Sequence, residues 1–344
     1  MEKFVGILGG GNISETHLKA AQEAEGVQVV AVCGYNAAKV AKLGESAGVP
    51  AYTDLENFLS HQPMDLVAIG SPSGKHAEQG IQAAERGLHV LVEKPIDITT
   101  ERADQLIATC SRKGVKLGVF FQDRVAPDLQ RLKSMIDNGD LGRIHLATAH
   151  VKWYRPPEYY GDSRWRGTWA LDGGGAVINQ AIHTVDVILW LLGDVGRVYA
   201  ATGTKLHDIE TEDTAVAVIE FRSGTLATFE AATSAYPGQP RRIFLSGSKG
   251  TAQVEHDLLV SVDLVNFTVD TQEKGEPGRN LSESSPVVEN VTGHRLIIED
   301  FVKAIEADIN PLCDGLEGRR SVELIEAIYK SARTRQPIEL VTDA

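Results

Sequence analysis

Glycines close to the amino terminus have the spacing of a dinucleotide-binding turn. Gly9 and Gly11 follow a short apolar run at residues 4–8, and Ser14 stands where the dinucleotide fingerprint has its third glycine. Gly9 would permit a tight turn, Gly11 would let the backbone approach a pyrophosphate, and the helix start beyond them would offer N–H groups and a positive dipole end. Glycine-rich loops can also be simple turns. The position of this turn inside a predicted βαβ unit favours dinucleotide binding over a simple turn.

The end of the next strand pattern leaves NAD and NADP open. The fingerprint expects an acid roughly 20 residues further on, for the adenosine ribose, but the segment reads Cys33-Gly34-Tyr35-Asn36. Asn36 could bond a ribose hydroxyl and Tyr35 could stack on adenine; the alternative is that both are ordinary turn residues. NAD is slightly favoured because no arginine follows to pair with a 2′-phosphate, although Lys39 could reach one.

A lysine after another strand pattern could carry part of an alcohol oxidation. Lys94 lies in Glu93-Lys94-Pro95, directly after the apolar run at residues 89–92. Ligands of open α/β sheets bind outside the carboxyl ends of the strands. Lys94 is therefore either a solvated loop charge or a group that polarises the reacting oxygen and stabilises an alkoxide-like transition state.

A histidine lies on a polar stripe of an otherwise apolar helix. Asn179, His183 and Asp186 fall at i, i+4 and i+7 after Gly173-Gly174-Gly175, in a helix predicted to begin near Ala176. Polar groups in apolar surroundings need partners or a cavity. His183 is therefore either a hydrogen-bonded core histidine or the base that accepts a hydroxyl proton, a role that suits imidazole.

Aromatic and basic side chains cluster upstream of that helix. They could stack on a sugar and hydrogen-bond it, or they could form a structured surface loop with packed aromatic rings. The cluster consists of Trp153, Tyr154, Arg155, Tyr159, Tyr160, Trp165 and Arg166.

Two patterns of predicted strands and helices indicate the domains that hold these residues. β-Branched runs at 4–8, 27–33, 66–69, 89–92 and 116–120 alternate with amphipathic stretches at 13–24, 37–46, 75–86 and 99–113. This alternation predicts a Rossmann-type doubly wound parallel sheet over residues 1–122. Alternating segments at 144–153, 214–221, 226–233 and 242–246 predict that residues 123–344 form an α+β domain with a large open, mostly antiparallel sheet. That domain is also predicted to hold helices at 127–138, 296–307 and 319–334 and a surface loop at 270–292.

Composition excludes several classes of protein. The 344 residues exceed the usual ~100–200 of one domain. The formal charge of −13 disfavours binding to nucleic acid or an anionic membrane. Three distant cysteines without CxxC spacing, and histidines without HExxH or a comparable spacing, argue against disulfides and a metal site. With neither a signal-peptide pattern nor a membrane-length apolar run, we expect a cytoplasmic protein.

These motifs together resemble the glucose-fructose oxidoreductase, inositol dehydrogenase and MocA family (Gfo/Idh/MocA). The resemblance rests on the glycine turn, Glu93-Lys94-Pro95, the Gly173-Gly174-Gly175 segment with the histidine helix after it, and the closing segment from Asp300 to Ala332. It spans nearly the whole chain. It implies hydride exchange between NAD or NADP and a secondary hydroxyl of a sugar, sugar derivative or cyclitol, by a homodimer or homotetramer.

Site residues follow from the resemblance position by position. Lys94 would lie by the nicotinamide and the reacting hydroxyl, and His183 would be the acid/base. Many members have Asp where this chain has Asn179, which can orient substrate but cannot relay a proton. The predicted substrate-binding residues are Asn179, Trp153, Tyr154, Arg155, Tyr160, Trp165 and Arg166. The predicted cofactor-binding residues are Gly9, Gly11, Asn12, Ile13, Tyr35, Asn36, Ser71, Pro72, His76, Glu93 and Lys94.

Two other functions remain open at this point. One is a glycosidase of the same family that recycles its NAD, which net cofactor reduction would distinguish from a dehydrogenase. The other is a non-catalytic dinucleotide sensor with a protein partner. The presence of both Lys94 and His183 argues against the sensor.

Overall fold

A computed structural model describes residues 2–161, 163–265 and 290–341 and the backbone of 267–269. The chain divides into two compact units, one containing residues 1–122 and 287–322 and the other 123–286 and 323–344. Residues 287–322, which the sequence pattern assigns to the second domain, thus belong to the first unit. The reason is that the helix Thr292–Ala307 packs against the helix Asn12–Glu23.

The first unit contains a six-stranded sheet in the order β3-β2-β1-β4-β5-β6, in which every described pair is parallel. This confirms the doubly wound fold. The strands are β1 (Lys3–Leu8), β2 (Val27–Cys33), β3 (Ala51–Tyr52), β4 (Leu66–Ile69), β5 (His89–Val92) and β6 (Leu117–Val119). The helices between them are α1 (Asn12–Glu23), α2 (Ala37–Ala47), α3 (Leu55–Leu59), α4 (His76–Glu85) and α5 (Thr100–Lys113).

Local sequence explains most of these boundaries. All four residues of β4 are buried, as in a strand covered on both faces. Side-chain caps begin α2 at Asn36 and α5 at Thr99. Both helices end at a left-handed glycine, Gly48 and Gly114. The sequence analysis missed β3 and α3, because two and five residues are too few for a readable period.

The second unit contains a nine-stranded sheet in the order β14-β13-β12-β11-β7-β10-β9-β8-β15 among the described strands. Its β7–β10 pair is parallel and the other described pairs are antiparallel, which confirms the open, mostly antiparallel sheet. The strands are β7 (Ile144–Lys152), β8 (Val195–Gly203), β9 (Thr214–Phe221), β10 (Leu226–Ala232), β11 (Arg242–Gly247), β12 (Gly250–Glu255), β13 (Leu258–Leu264), β14 (Phe267–Val269) and β15 (Ile338–Glu339). The other α-helices of the described residues are α6 (Pro127–Asp137), α7 (Glu158–Gly161), α8 (Ile182–Leu192), α9 (Thr292–Ala307) and α10 (Gly315–Thr334).

The helix expected to begin near Ala176 has a different form. A single π-helical turn occupies Ala176–Gln180, and α8 begins only at Ile182. The Glu212 carboxylate accepts hydrogen bonds from the N–H groups of Gly175 and Val177 at the start of this turn. Asn179 and His183 are therefore not neighbours on one regular helix.

Two further predictions concern the region before α9. Most of the loop expected at 270–292 lies outside the described residues. The helix predicted to start near Leu296 begins earlier, at Thr292.

Candidate active site

The turn after β1 has the geometry that a dinucleotide pyrophosphate requires. Gly9 has φ +142°, and a Cβ there would lie 2.6 Å from the Gly70 carbonyl oxygen, so only glycine fits. Gly11 is exposed, and a Cβ there would meet no atom within 4 Å. It begins α1 without a side-chain cap, which leaves the first helical N–H groups for a ligand. Asn12 is exposed and Ile13 half-buried in the first turn of that helix.

Tyr35 and Asn36 occupy the turn after β2. The Tyr35 side chain is 76% exposed. The Asn36 Oδ1 accepts a hydrogen bond from the Lys39 backbone N–H at 3.1 Å and thereby caps α2. Asn36 thus has a structural role, and Tyr35 is free to stack on a ring.

The residues predicted at the end of β4 form a fixed loop. His76 is buried, and its Nδ1 and Nε2 lie 2.7 Å from the Pro95 carbonyl oxygen and 2.8 Å from that of Ser71. The Ser71 hydroxyl donates to Gln79 Oε1 at 2.6 Å. His76 therefore ties the chain before α4, where Pro72 also lies, to the Glu93-Lys94-Pro95 segment.

Glu93 is buried and supports the backbone of Lys94. Its Oε1 lies 3.0 Å from His17 Nε2 and 3.3 Å from His294 Nε2, and its Oε2 accepts from the Lys94 N–H at 3.1 Å. Burial alone would raise the pKa of Glu93, but the hydrogen bonds and positive potential of the two histidines outweigh it and hold the pKa well below its usual value. Lys94 itself is half-buried.

The two histidines of this cluster were missed by sequence reasoning. His17 comes from α1 and His294 from α9, so no local spacing relates them to Glu93. Burial lowers the pKa of His17, whose ring also stacks on Phe120 at 4.4 Å. The ligand-capable atoms of His17, Glu93 and His294 lie within 4.8 Å of one another, as a metal site would require. Because both histidines meet the same carboxylate oxygen at hydrogen-bond distance, we interpret the cluster as a hydrogen-bonded support of Glu93.

His183 is half-buried and has an acidic neighbour. Its Nδ1 lies 4.0 Å from Asp123 Oδ1. Asp123 is buried and also pairs with Arg241. Asp123 could not be predicted, because it lies 60 positions before His183 and outside any recognised motif.

Asn179 is part of a hydrogen-bonded chain of polar side chains. Its Nδ2 donates to Asp172 Oδ1 at 2.5 Å, and its Oδ1 accepts from Gln180 Nε2 at 2.6 Å. Gln180 Nε2 also donates to the Tyr159 hydroxyl at 2.8 Å. Gln180 Oε1 accepts from Arg155 Nη2 at 2.7 Å. Gln180, which was not predicted as a site residue, thus connects Asn179 to the aromatic and basic cluster.

The structure brings most of that cluster together around Tyr159. The Arg166 guanidinium lies 4.2 Å from the centre of the Tyr159 ring and the Arg155 guanidinium 5.6 Å from it. Arg155 also lies 5.1 Å from the Trp153 ring, and Arg166 5.6 Å from that of Trp165. These distances correspond to cation–π contacts.

Two members of the predicted set also contact residues outside it, although Tyr160 packs edge-on against Tyr159 with ring centres 5.0 Å apart. Tyr160 is buried, and its hydroxyl lies 2.8 Å from Thr233 Oγ1. Tyr154 packs edge-on against Tyr236, with ring centres 5.0 Å apart. Tyr160 therefore has a packing role in this structure.

Asp186, the third member of the predicted polar stripe, forms a buried ion pair. Arg124 Nε and Nη2 donate to its two oxygens at 2.8 and 2.7 Å. Both side chains are almost completely buried. Asp186 thus holds α8 in place.

Glu212 connects the π-turn to α10. Its carboxylate accepts from the N–H groups of Gly175 and Val177 at 3.0 and 2.9 Å and from the Tyr329 hydroxyl at 3.0 Å. Burial raises the pKa of Glu212 to about 7, although these hydrogen bonds act in the opposite direction. The backbone that leads to Asn179 and His183 therefore rests on a group that titrates near neutrality.

A parallel Rossmann sheet with an open glycine turn at the start of its first helix is typical of dinucleotide-binding oxidoreductases. Comparison with known families agrees. Residues 3–121 match the family described as "Oxidoreductase family, NAD-binding Rossmann fold", and residues 129–253 match the "GFO/IDH/MocA C-terminal domain". The chain belongs to the Gfo/Idh/MocA family, as the sequence motifs predicted.

Individual relatives cover the whole chain. The WlbA dehydrogenase of Bordetella pertussis, solved with NADH and UDP-GlcNAcA, is 33% identical, with 100% of each chain covered and a TM-score of 0.88. D-Xylose 1-dehydrogenase (NADP(+)) 2 of Haloferax volcanii is 28% identical, covering 97% of this chain and 99% of its own. Myo-inositol 2-dehydrogenase of Thermotoga maritima is 24% identical, with 98% of each covered.

Among the described residues, none of the helices combines the length and apolarity that crossing a bilayer needs.

Proposed function

We propose that this protein oxidises a secondary hydroxyl of a sugar, sugar derivative or cyclitol, with NAD or NADP as hydride acceptor. The relatives support this substrate class, because one is named for xylose, another for myo-inositol, and a third was solved with a nucleotide sugar acid. We assign cofactor binding to residues 1–122 and substrate binding and assembly to residues 123–344. Residues 287–322 contribute His294 to the support of Glu93 in the first unit.

The observation that carries the proposal is the pairing of His183 with Asp123. Their 4.0 Å separation is within ion-pair range and beyond a direct hydrogen bond, so the carboxylate acts on the ring through its negative potential. A proton on Nδ1 is favoured there, which leaves Nε2 with a lone pair for the substrate hydroxyl. When Nε2 accepts the hydroxyl proton, Asp123 stabilises the positive charge that develops on the ring.

Lys94 stabilises the negative charge that develops on the substrate oxygen. Glu93 and His76 fix the backbone on either side of it, so its ammonium group is presented from a rigid segment. The nicotinamide, when bound, accepts the hydride. Asn179 orients substrate by hydrogen bonds, and its place in the Asp172–Gln180 chain holds its amide in one orientation.

The residues present suit a dinucleotide. The space over Gly11 and the uncapped start of α1 suit a pyrophosphate, and the exposed Tyr35 ring suits an adenine. We propose a modest preference for NAD. Competitive titration with NADH and NADPH measures it, and a tenfold preference for NADPH would overturn it.

The activity is tested with a panel of pyranosides, inositols and nucleotide sugars, including UDP-GlcNAcA, assayed with NAD and with NADP. Net reduction of the nicotinamide by at least one polyol supports the dehydrogenase. Turnover of a glycoside without net reduction would support the recycling glycosidase. Cofactor binding without any turnover would support the sensor.

We also propose that the protein assembles as a homodimer or homotetramer through the outer face of the nine-stranded sheet. Exposed apolar residues lie on this face in adjacent strands, as an interface between copies requires. Tyr199 pairs with Val218, and Leu226 pairs with Leu146; each is 48–52% exposed. Val218→Asp should shift the sedimentation of the protein toward the monomer, and an unchanged oligomer would remove this face from consideration.

A further inference from the structure

Hydrogen-bond donors in the aromatic and basic cluster lack acceptors. The indole Nε1 of Trp153 and the guanidinium Nε of both Arg155 and Arg166 are out of contact with water and have no hydrogen-bond partner among the described residues. A buried donor without an acceptor is costly. All three groups can only donate, so the missing partner must present oxygen atoms that accept.

The two guanidinium groups also lack a counter-charge. Neither Arg155 nor Arg166 lies within salt-bridge distance of a carboxylate in the described part of the chain, although both approach the same Tyr159 ring. Arg155 is 2% exposed. Burial lowers its pKa, and the charge of Arg166 lowers it further. Two positive charges thus lie close together in a partly buried place, where an anion would relieve their repulsion.

Arg124 shows in this same chain how such a group is satisfied. It holds both oxygens of Asp186 with its Nε and Nη2. In Arg166 only Nη1 is used, to donate to the Tyr159 carbonyl oxygen at 3.3 Å. The Nε and Nη2 edge of Arg166, which suits two oxygens of one planar or tetrahedral anion, has no protein partner among the residues described.

The cluster is connected to the residues that we assign to the sugar. Arg155 donates to Gln180, and Gln180 donates to Asn179 and Tyr159. Asp172, the acid of this network, is engaged by Asn179 Nδ2 and by the Gly167 N–H. An anionic group bound by Arg166 would therefore be part of the same ligand that Asn179 orients.

We propose that the substrate carries an anionic oxygen group, a carboxylate or a phosphate on the sugar, that Arg166 binds it, and that the charge of the buried Arg155 adds to the attraction. This inference rests on the proposed function for the rest of the ligand. It narrows the substrate class from sugars in general to acidic sugars, and it makes Arg166 a specificity-determining residue.

Calorimetric binding to the NADH-loaded protein tests the proposal without relying on turnover. The probes are glucose, glucuronate and glucose 6-phosphate, which share a ring and differ in charge, and the same three attached to UDP where available. We expect the anionic member to bind about 10- to 100-fold more tightly than glucose, the range for one or two charge-assisted hydrogen bonds. Preference for glucuronate or for glucose 6-phosphate identifies the anion.

Arg166→Gln should abolish that preference by weakening the binding of the anionic sugars. Arg166→Lys keeps the charge but cannot form the bidentate hydrogen bond of a guanidinium. It should therefore retain only part of the wild-type preference for the anionic sugars. Arg164→Gln is the matched control, because Arg164 is exposed two positions away and makes no hydrogen bond or ion pair with the residues described; it should behave as wild type. Circular dichroism of each variant checks the fold.

Equal affinity of the wild-type protein for glucose and both anionic sugars would overturn the proposal. So would a preference that survives in both Arg166 variants. If neutral sugars are oxidised without any preference for acidic ones, the proposed function stands and this inference fails. If acidic sugars bind with the expected preference but none is oxidised, the inference stands and the proposed function fails.

Discussion

Glu212 should make the second unit less stable as pH rises. This is the opposite of the usual effect of a carboxylate, whose pKa is normally lowered by folding. Its pKa is about 7 in the folded protein, against 4.5 for a free glutamate. Because the folded state holds the proton more tightly, the protonated group stabilises the fold fully below pH 4.5, and this contribution is lost as pH rises through about 7. The difference of pKa corresponds to about 3 kcal/mol in total.

The assay compares the wild-type protein with Glu212→Gln, which keeps the shape of the side chain and cannot ionise. All four tryptophans of the chain, Trp153, Trp165, Trp169 and Trp190, lie in the second unit, so tryptophan fluorescence in urea reports the unfolding of that unit. Trp169 packs edge-on against Tyr329, whose hydroxyl donates to Glu212. Between pH 5 and pH 8 the wild-type protein should lose about 2.5 kcal/mol relative to the variant.

The control is Glu158→Gln, because Glu158 is exposed and makes no hydrogen bond or ion pair with the described residues. Its stability should follow that of the wild-type protein at every pH. The free energy of unfolding of the wild-type protein could instead follow that of Glu212→Gln at every pH, or rise relative to it as pH rises. Either result would show that burial does not raise the pKa of Glu212.

Other substitutions test the remaining assignments. Gly11→Val should fold normally, because a Cβ at Gly11 meets no atom within 4 Å. It should weaken NADH binding about 100-fold, because it displaces two charge-assisted hydrogen bonds at ~1.5 kcal/mol each. Unchanged affinity by calorimetry would contradict the assignment of Gly11 to the cofactor. His183→Ala should keep the fold and the affinity for NADH and lose ~10²–10⁴ in turnover, and oxidation by the wild-type protein should rise with pH; near wild-type turnover would make Lys94 the candidate base. Asp186→Asn should cost about 3–5 kcal/mol in urea unfolding, because it leaves the Arg124 charge buried without its partner; a loss below about 1 kcal/mol would show that the pair contributes little.

The parallel sheet could be predicted because its strands are buried on both faces and therefore stand out as short continuous apolar runs. The glycine turn could be predicted for a related reason, since a tight turn beside a helix start constrains residue type over a few positions. In the second sheet only one face is buried, and β8, β12 and β13 were not among the predicted segments. β15 is only two residues long and lies at the end of the chain, paired with β8.

The polar contacts around the candidate site could not be predicted, because they join residues far apart in the sequence. His294 reaches Glu93 across 201 positions, and Arg124 reaches Asp186 across 62. The π-turn was missed for the same reason, since the carboxylate that binds its backbone belongs to Glu212, in the loop before β9. Hydrophobic periodicity predicts whether a short segment forms a helix or a strand. It does not show which distant residue will contact that segment after folding, and these features depend on such contacts.

Mass spectrometry of the cofactor shows directly whether the protein transfers hydride from a sugar carbon to the nicotinamide. The protein is incubated with NAD and with sugars, sugar acids or inositols that carry deuterium on every ring carbon. We expect NADH that contains one deuterium, in an amount equal to the polyol oxidised, and almost none with His183→Ala. Consumption of sugar without deuterated NADH, or binding of NAD without either product across the whole panel, would contradict it.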